Sequence, residues 1–399
     1  MTFQRIIITG DILRVDSSGA AGNQSTAIRW LHALLKYPIN IATGLEAEIL
    51  TIDDFRLNID KIYAHIRTAP SVDAWASLFD EMPVDLSDIF ISELSDALVI
   101  GWELPRSLCD ALKNANITYI ELSVHPVRFM DDILISARSN SPTIDDALLS
   151  QSLSEQDCYI QAGLISAFFI RRTTPRDEPY ALFAAQTKVD RSLIKDGKLL
   201  SQNWIADELL AQLPQGMPLL LKDHPIQPSD ELFRRLRSAG VNVQRIGGTI
   251  YRQFSDRRLT SIYTVSSSAG LEAQYFGHQT KYLYRPCFDI VFSGQPHDMV
   301  RDKFKSIDAR VISPNFWRDI LSATIDTTPI EPETNLSRPD LLRATLNFHW
   351  GFGEIFNEFT VQSSGITPNY STIHHIKQLL KIIIHNLNYK ITTNNTTKK

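Results

Sequence analysis

The sequence has few cysteines and no surplus of positive charge. Its 399 residues include 3 cysteines, Cys109, Cys158 and Cys287, which lie far apart in the chain. That number and spacing fit neither a disulfide framework nor a zinc site with paired ligands, and they predict a reducing, cytoplasmic compartment. The formal net charge is -5, so no basic surplus is available to neutralise a phosphate backbone. Nucleic acid is therefore not an expected partner.

Long apolar runs and nucleotide-binding fingerprints are also absent. No window of the sequence approaches the ~20 apolar residues of a membrane span, and the start MTFQRIIITGDILRV lacks the cleavage pattern of a signal peptide. We therefore expect a soluble chain. The sequence contains no G-x-G-x-x-G after its first strand-like run and no G-x-x-x-x-G-K-[ST] anywhere. A dinucleotide site or a P-loop therefore loses its main support.

Strand-like and helix-like segments alternate along the chain, which is the pattern of an open parallel α/β sheet. The pattern lapses at Arg171–Pro179, RRTTPRDEP, and resumes at Tyr180. A chain of this length with 43% hydrophobic residues can fill two cores. We predict an α/β fold with two similar halves, divided as follows: an N-terminal domain at 1–172, a C-terminal domain at 173–330, helices at 331–390 that can cross back to the first domain, and a disordered tail or linker at 391–399.

Individual elements follow from the same alternation. In the first half we predict strands at Arg5–Leu13, Ala97–Leu104 and Ile117–Val124, and helices at Ser25–Leu35 and Leu108–Asn114. In the second half we predict strands at 180–185, 218–222, 241–246, 260–265 and 280–284, and helices at 203–212, 230–238 and 269–276.

Three apolar runs in the second half stop at polar residues that can bind an anion or a sugar. They are YALFAAQTKVDRSLI from Tyr180, LLLKDHP from Leu219 and SIYTVSSSAGLEA from Ser261. In open α/β sheets the ligand lies at the carboxyl ends of the strands, and with two domains it lies in the cleft between them. We therefore expect the three strand ends to form a single active site.

Two of these ends offer groups for a phosphate. The serines before the helix at Ala269 precede unpaired backbone N–H groups and the positive end of a helix dipole, although an ordinary serine N-cap with a glycine for packing explains them equally well. Glu272 is either a surface carboxylate or an acceptor for ribose hydroxyls. Lys222 and His224 can both reach a phosphate leaving group, and the alternative is a structural histidine.

The three segments AAQTKVDRSLI, LKDHP and IYTVSSSAGLEAQYFGHQTKYL resemble the retaining β-Kdo transferases of bacterial capsule and O-antigen assembly. The second domain of that family carries Q-T-x-x-D, K-x-H-P and T-S-x-x-G-x-E-A segments, and here their order and spacing agree over residues 180 to 284. The resemblance implies the GT-B architecture of two Rossmann-like domains, with the acceptor on the first and CMP-β-Kdo on the second.

The same resemblance implies roles for individual residues. Asp190 would be the nucleophile and His224 would assist at the phosphate. CMP-Kdo would be held by the residues that match the motifs and by one nearby arginine suited to a carboxylate: Gln186, Lys222, His224, Ser266, Ser267, Ser268, Gly270, Glu272 and Arg285. Arg252 is a second candidate for that carboxylate.

Retention at an anomeric carbon is most simply achieved by two inversions, in which a carboxylate attacks first and the acceptor hydroxyl displaces it. The acceptor must lose a proton, and Glu121 is the predicted base. The family has Glu-Asp-Gly-Phe at the comparable strand end, whereas this chain has Glu121-Leu122-Ser123-Val124, so only the glutamate matches. The alternative is that Glu121 forms an ion pair with Arg128.

Acceptor and cofactor predictions are less detailed. The polar loop Asp16–Gln24 and the segment after Glu121 suggest Asp16, Ser18 and Arg128 as acceptor contacts. Adjacent carboxylates such as Asp131 and Asp132 read as solvated or capping acids. Adjacent carboxylates usually face different ways and no histidine lies at ligand spacing to them, so we expect neither a metal nor another cofactor.

The C-terminal segment Ile373–Leu387 places Ile373, Ile376, Leu380 and Ile383 on one helical face, with lysines elsewhere. It can lie on an anionic membrane surface, where lipid-linked glycans are made, or pack back across the domains. The tail after it can also link to further transferase modules.

The sequence thus predicts a cytoplasmic transferase, peripheral to the inner membrane in one interpretation, that moves Kdo from CMP-Kdo to a glycan hydroxyl. One alternative is an inverting transferase of the CMP-sialic-acid type, which needs a base but no nucleophile. The other is a non-catalytic module that binds a nucleotide or sugar within a polysaccharide assembly complex.

Overall fold

The computed structural model describes residues 3–22, 24–172, 176–225, 227–329 and 340–350. The chain divides into a compact unit, Met1–Ile355, and a second unit, Phe356–Lys399, which lies outside the described residues. The predicted amphipathic helix at 373–387 and the predicted tail at 391–399 also lie outside them.

The compact unit is a mixed α/β structure with two main sheets. Its strands are β1 (Arg5–Gly10), β2 (Ala47–Ile49), β3 (Ala97–Trp102), β4 (Tyr119–Val124), β5 (Ile135–Ser139), β6 (Tyr180–Ala184), β7 (Ile194–Lys195), β8 (Lys198–Leu199), β9 (Leu219–Lys222), β10 (Val243–Ile246), β11 (Leu259–Thr264), β12 (Thr280–Tyr282), β13 (Ile290–Val291) and β14 (Phe304–Ile307).

The helices connect these strands and cover the sheets. They are α1 (Gln24–Thr43), α2 (Ile59–Ala64), α3 (Val72–Asp80), α4 (Val84–Leu94), α5 (Arg106–Asn114), α6 (Pro142–Ser150), α7 (Glu155–Ile170), α8 (Gln202–Gln212), α9 (Asp230–Ser238), α10 (Ile250–Phe254), α11 (Ala269–Tyr275), α12 (His297–Val300), α13 (Pro314–Leu321) and α14 (Leu341–Trp350). Within the described ranges, none of them is both long and apolar enough to cross a membrane.

The second sheet is parallel throughout, in the order β10-β9-β6-β11-β12. Its central strand β6 is buried at every residue. Ala181 and Phe183 pack into the core on one face, and Leu182 and Ala184 pack into the core on the other. This two-sided burial explains why the run reads as continuously apolar rather than alternating.

The first sheet has seven strands in the order β13-β14-β5-β4-β3-β1-β2. The strands β2, β1, β3 and β4 run parallel, whereas β5 is antiparallel to both β4 and β14. Helix α1 packs against it, and the buried Trp30 on this helix contacts Trp102 of β3 edge-on.

A late segment returns to the first sheet. The strands β13 and β14 extend it beside β5, and Trp317 of α13 is fully buried in its core. The ammonium of the fully buried Lys305 on β14 contacts the Asp145 carboxylate on α6. Residues 290–321, which we predicted within the C-terminal domain, therefore pack with the N-terminal sheet.

Helix α14 also lies on the first sheet's side of the molecule. The Asp132 carboxylate accepts hydrogen bonds at 2.9 Å from the backbone N–H groups of Leu342 and Arg343 at the start of the helix. Trp30 Nε1 on α1 donates to Thr345 Oγ1 at 3.2 Å. The predicted return of the helices at 331–390 to the first domain stays a prediction, because most of that segment lies outside the described residues.

Candidate functional site

A cavity of about 950 Å³ is lined by residues of the first sheet and by residues that follow strands of the second. The predicted site residues that line it are Glu121, Arg128, Gln186, Asp190, His224, Ser266, Ser267, Ser268 and Arg285. The predicted residues Asp16, Ser18, Lys222, Arg252, Gly270 and Glu272 lie outside the lining. The structure thus brings together members of all three strand-end segments and adds Glu121 from the first sheet.

Asp190 begins a 3-10 turn, Arg191–Leu193, in the loop after β6. Its Oδ1 accepts two hydrogen bonds at 2.8 Å, one from the backbone N–H and one from the hydroxyl of Ser192. Within the described part of the chain, no hydrogen bond reaches Oδ2. One carboxylate oxygen therefore holds the turn while the side chain lines the cavity.

Gln186 connects this turn to the end of β11. Its Nε2 donates to Ser192 Oγ at 3.1 Å and to Ser266 Oγ at 3.2 Å, while its Oε1 accepts from the Ser266 backbone N–H at 3.0 Å. The fully buried Ser266 hydroxyl donates to the Ser192 carbonyl at 3.0 Å. These bonds use most of the amide capacity of Gln186 within the protein.

Lys222 ends β9 and His224 follows it, and their side chains point to different places. His224 lines the cavity, and burial lowers its pKa below the ordinary value although the nearby Asp190 carboxylate acts in the opposite direction. The imidazole is therefore mainly neutral at pH 7. The Lys222 ammonium contacts the Gly248 carbonyl after β10. Of these two candidates for the phosphate, His224 lines the cavity and Lys222 does not.

The start of α11 brings serines to the cavity, but its glycine has a packing role. A methyl group added at Gly270 would lie 2.7 Å from the Tyr282 hydroxyl and 2.8 Å from Thr280 Cγ2. The Gly270 N–H already donates to the Ser267 carbonyl at 3.0 Å. Gly270 thus allows α11 to lie close to β12, while Ser267 and Ser268 line the cavity.

Glu272 is buried and bonded across the two halves of the unit. Its Oε1 accepts from the backbone N–H of Arg128 at 2.7 Å and from the Tyr251 hydroxyl at 2.8 Å. The side chain is 3% exposed. In this arrangement the carboxylate fixes the segment that carries Arg128, and its contact with a ribose stays a prediction.

Glu121 lies on β4 and is 1% exposed. Its Oε2 accepts from Arg138 of β5 at 2.6 Å, and its Oε1 accepts from Arg191 at 3.1 Å. The ion pair considered for Glu121 therefore exists with these two arginines rather than with Arg128. Two guanidinium groups, from Arg138 and Arg191, therefore pair with the Glu121 carboxylate.

Asp16 and Ser18, which we predicted as acceptor contacts, bond to each other within their own loop. The exposed Asp16 carboxylate accepts from the Ser18 N–H at 2.8 Å and from its hydroxyl at 2.6 Å, and these bonds lower the pKa of Asp16. Both residues are part of a self-contained turn. The first-half lining instead includes Trp102, Glu103 and Arg106.

Arg191 and Arg138 are site residues that the sequence analysis missed. Arg191 follows Asp190 directly, lies over the Phe288 ring at 5.0 Å and donates to Ser123 Oγ at 3.3 Å. Arg138 lies over the Phe304 ring of β14 at 4.6 Å. The only available sequence signal was that Arg191 directly follows the motif residue Asp190. It did not reveal that Arg191 pairs with Glu121.

Across the described ranges, no group of three or more histidine, cysteine, aspartate or glutamate side chains is arranged to hold a metal ion. The residues that line the cavity supply hydroxyls, one imidazole, carboxylates and several guanidinium groups.

No protein-family model matches the chain, and no curated protein matches its sequence. Among solved structures, it is similar to the β-Kdo 2,7-transferase KpsC of Thermosulfurimonas dismutans, with 13% identity, 60% of this chain and 81% of that chain covered, and a TM-score of 0.33. It is also similar to the β-Kdo 2,4-transferase KpsC of the same organism, with 16% identity, 56% and 78% covered, and a TM-score of 0.31. A dipicolinate synthase chain of Bacillus halodurans gives 13% identity, 81% and 96% covered, and a TM-score of 0.16.

Proposed function

We propose that this chain is a retaining β-Kdo transferase of GT-B architecture, which moves Kdo from CMP-β-Kdo to a glycan hydroxyl in bacterial surface polysaccharide synthesis. One observation carries the proposal. Asp190, His224 and Ser266–Ser268 belong to three segments that resemble the family motifs, and they line one cavity together. The proposal takes the two α/β sheets as the two domains and the cavity as the cleft between them.

The donor is proposed to bind with its CMP phosphate near His224, Ser267 and Ser268. The serine hydroxyls and the imidazole N–H can donate hydrogen bonds to phosphate oxygens, and Arg285 at the cavity edge can pair with the Kdo carboxylate. These donors stabilise the negative charge that grows as CMP leaves. The proposed binding needs no metal or cofactor.

The proposed reaction has two displacements. In the first, an oxygen of the Asp190 carboxylate attacks the anomeric carbon of Kdo, and the bond from that carbon to the phosphate oxygen breaks with its electron pair leaving on CMP. In the second, an acceptor hydroxyl attacks the same carbon, loses its proton and displaces the carboxylate. Two inversions retain the β configuration.

Glu121 is the proposed base for the second displacement. Taking up the acceptor proton neutralises its carboxylate and so weakens its pairs with Arg138 and Arg191. Glu121 and Asp190 are assigned different roles, so the base needs a variant of its own.

The acceptor is proposed to be a lipid-linked capsule or O-antigen glycan at the cytoplasmic side of the inner membrane. A membrane site of action requires only peripheral contact, and the proposal assigns that contact to residues 373–387.

The test is an intact-mass and product measurement with CMP-Kdo generated in situ, with and without a glycan acceptor. We expect a covalent Kdo adduct and β-linked product in the wild type, and neither in Asp190→Asn. Asp196→Asn is the matched control, because Asp196 is exposed in the turn between β7 and β8 and lies outside the cavity lining.

Each other outcome contradicts the proposal in a different way. Turnover that survives Asp190→Asn indicates an inverting transferase of the CMP-sialic-acid type. CMP binding without any turnover, across a panel of acceptors, indicates a non-catalytic binding module.

A further inference from the structure

The hydroxyl of Ser192 lies at the centre of a short chain of hydrogen bonds that ends on Asp190. It donates to Asp190 Oδ1 at 2.8 Å and accepts from Gln186 Nε2 at 3.1 Å. A serine hydroxyl has one proton and two lone pairs, so it can make both bonds at once. Ser192 is therefore a direct link between the carboxylate and an amide on the opposite side of the loop.

The other end of this chain is anchored in the second sheet. Ser266 follows β11, is fully buried and meets Gln186 through two bonds, Ser266 N to Gln186 Oε1 at 3.0 Å and Gln186 Nε2 to Ser266 Oγ at 3.2 Å. Ser266 Oγ also donates to the Ser192 carbonyl at 3.0 Å. The loop after β6 is thus tied to the end of the neighbouring strand β11 by side chains rather than by backbone pairing.

The consequence for Asp190 concerns the orientation of its carboxylate. Two donors from Ser192 hold Oδ1 in the turn, which fixes the rotation of the carboxylate group. Of the two oxygens, Oδ2 is then the one left for an external electrophile in the cavity that Asp190 lines. A nucleophile held in one orientation needs less ordering at the moment of attack.

We propose that Ser192 is a positioning residue that orients Asp190 for attack, with Gln186 and Ser266 as its anchors. This inference rests on the proposed function, in which Asp190 is the nucleophile. It gives Gln186 and Ser266 a role in fixing the nucleophile in place of direct contact with CMP-Kdo.

The experiment measures the rate of adduct formation by intact mass with CMP-Kdo and no acceptor, and CMP affinity by calorimetry. Ser192→Ala should form the adduct about 10- to 100-fold more slowly, because misplacing a reacting group costs this much. Its CMP affinity should stay within about threefold of the wild type, since the Ser192 hydroxyl is used in bonds to Asp190 and Gln186 rather than in the proposed phosphate contacts. Ser192→Thr, which keeps the hydroxyl, should restore the rate.

Ser201→Ala is the matched control. Ser201 also has a side chain that accepts a backbone N–H, from Trp204 at 3.1 Å, but it lies at the start of α8 and outside the cavity lining. It should lose a helix cap without changing the rate of adduct formation. Gln186→Met, which removes the amide and keeps the length, tests the same chain of bonds independently if Ser192→Ala does not fold.

The outcomes separate this inference from the proposed function. If the wild type forms an adduct that Asp190→Asn lacks, and both Ser192→Ala and Gln186→Met form it at the wild-type rate, the positioning role is wrong while the proposed function stands. A loss of CMP affinity equal to the loss of rate in Ser192→Ala would also overturn it, since that result makes Ser192 a binding residue. If the wild type forms no adduct, both proposals fall.

Discussion

Arg191 Nη1 donates to Glu121 Oε1 at 3.1 Å, and this ion pair joins the loop after β6 of the second sheet to β4 of the first. Both side chains are largely buried, with 13% and 1% exposure. Arg191, which follows the proposed nucleophile Asp190, is therefore bonded directly to the proposed base Glu121. This ion pair connects the two segments that carry the catalytic candidates.

Removing the arginine should weaken the connection between the two sheets. We expect Arg191→Gln to lower the free energy of unfolding by about 1–3 kcal/mol, since a buried acceptor loses a charged donor while Arg138 still pairs with Glu121. Arg245→Gln is the control, because the more exposed Arg245 pairs with Asp223 at 3.1 Å and should cost about 1 kcal/mol or less. Equal losses in urea unfolding would contradict this prediction.

Replacing the carboxylate of Glu121 should separate the two chemical steps. Glu121→Gln keeps the shape but cannot accept the acceptor proton, so we expect the Kdo adduct to form and then persist after a glycan acceptor is added. Intact mass over time checks this outcome, and a melting curve accounts for the loss of the two arginine pairs. Rapid decay of the adduct on acceptor addition would assign the base to another group.

Two glycines form a matched pair for stability. Gly270→Ala places a methyl group within 2.8 Å of Thr280 Cγ2 and should destabilise the protein by about 1–3 kcal/mol. Gly163 lies in helix α7, where an added methyl group meets nothing within 4 Å, so Gly163→Ala should be neutral or stabilising by about 0.5–1 kcal/mol. Chemical denaturation of both variants checks the difference in sign.

Lys222 at the end of β9 and His224 just after it should differ in their effect on CMP binding. His224→Ala should weaken CMP affinity about 10-fold, because His224 lines the cavity and a bond to a charged phosphate is lost. Lys222→Met should change it less than about threefold, since the ammonium contacts the Gly248 carbonyl. Calorimetric titration with CMP measures both, and the reverse order would place Lys222 at the phosphate.

The first sheet should lose stability in mild acid through His125. Its Nδ1 accepts from the Val127 N–H at 3.1 Å, and its Nε2 donates to Ser306 Oγ at 2.9 Å, so the folded state holds the neutral ring. Burial lowers the pKa of His125 to about 3. Because the unfolded chain takes up this proton near pH 6.5 and the folded chain does not, stability should fall below pH 6.5, by about 2 kcal/mol at pH 5. In His125→Gln this part of the pH dependence should be missing from denaturant titrations.

The sequence predicted the inner strands β6 and β9 of the second sheet well because they are buried on both faces. Runs such as Leu219–Leu221 are apolar at every position, so their extent and the polar residues at their ends are visible without tertiary information. Strand direction then brings those ends to one edge of the sheet. For this reason the sequence alone could identify Asp190, His224 and the serines before α11 as candidate site residues.

What the sequence could not show depends on contacts between distant residues. The strand β14 reads FKSI, and its buried lysine pairs with the distant Asp145 and donates to the carbonyls of Val300 and Lys303. The pair of Glu121 with Arg191 joins positions 70 residues apart. Likewise, residue order places both Lys222 and His224 at the end of β9 but does not say which of them faces the cavity.

The return of residues 290–321 to the first sheet determines where the chain can be recombined with a relative. A chimera that exchanges the N-terminal half by a single cut near residue 172 would separate β5 from its neighbour β14 and leave Asp145 without Lys305. An exchange that keeps these contacts therefore requires two crossover points, so that the segment between Tyr180 and Tyr284, which holds the second sheet, is transplanted as an insert while the rest of the compact unit stays from one parent.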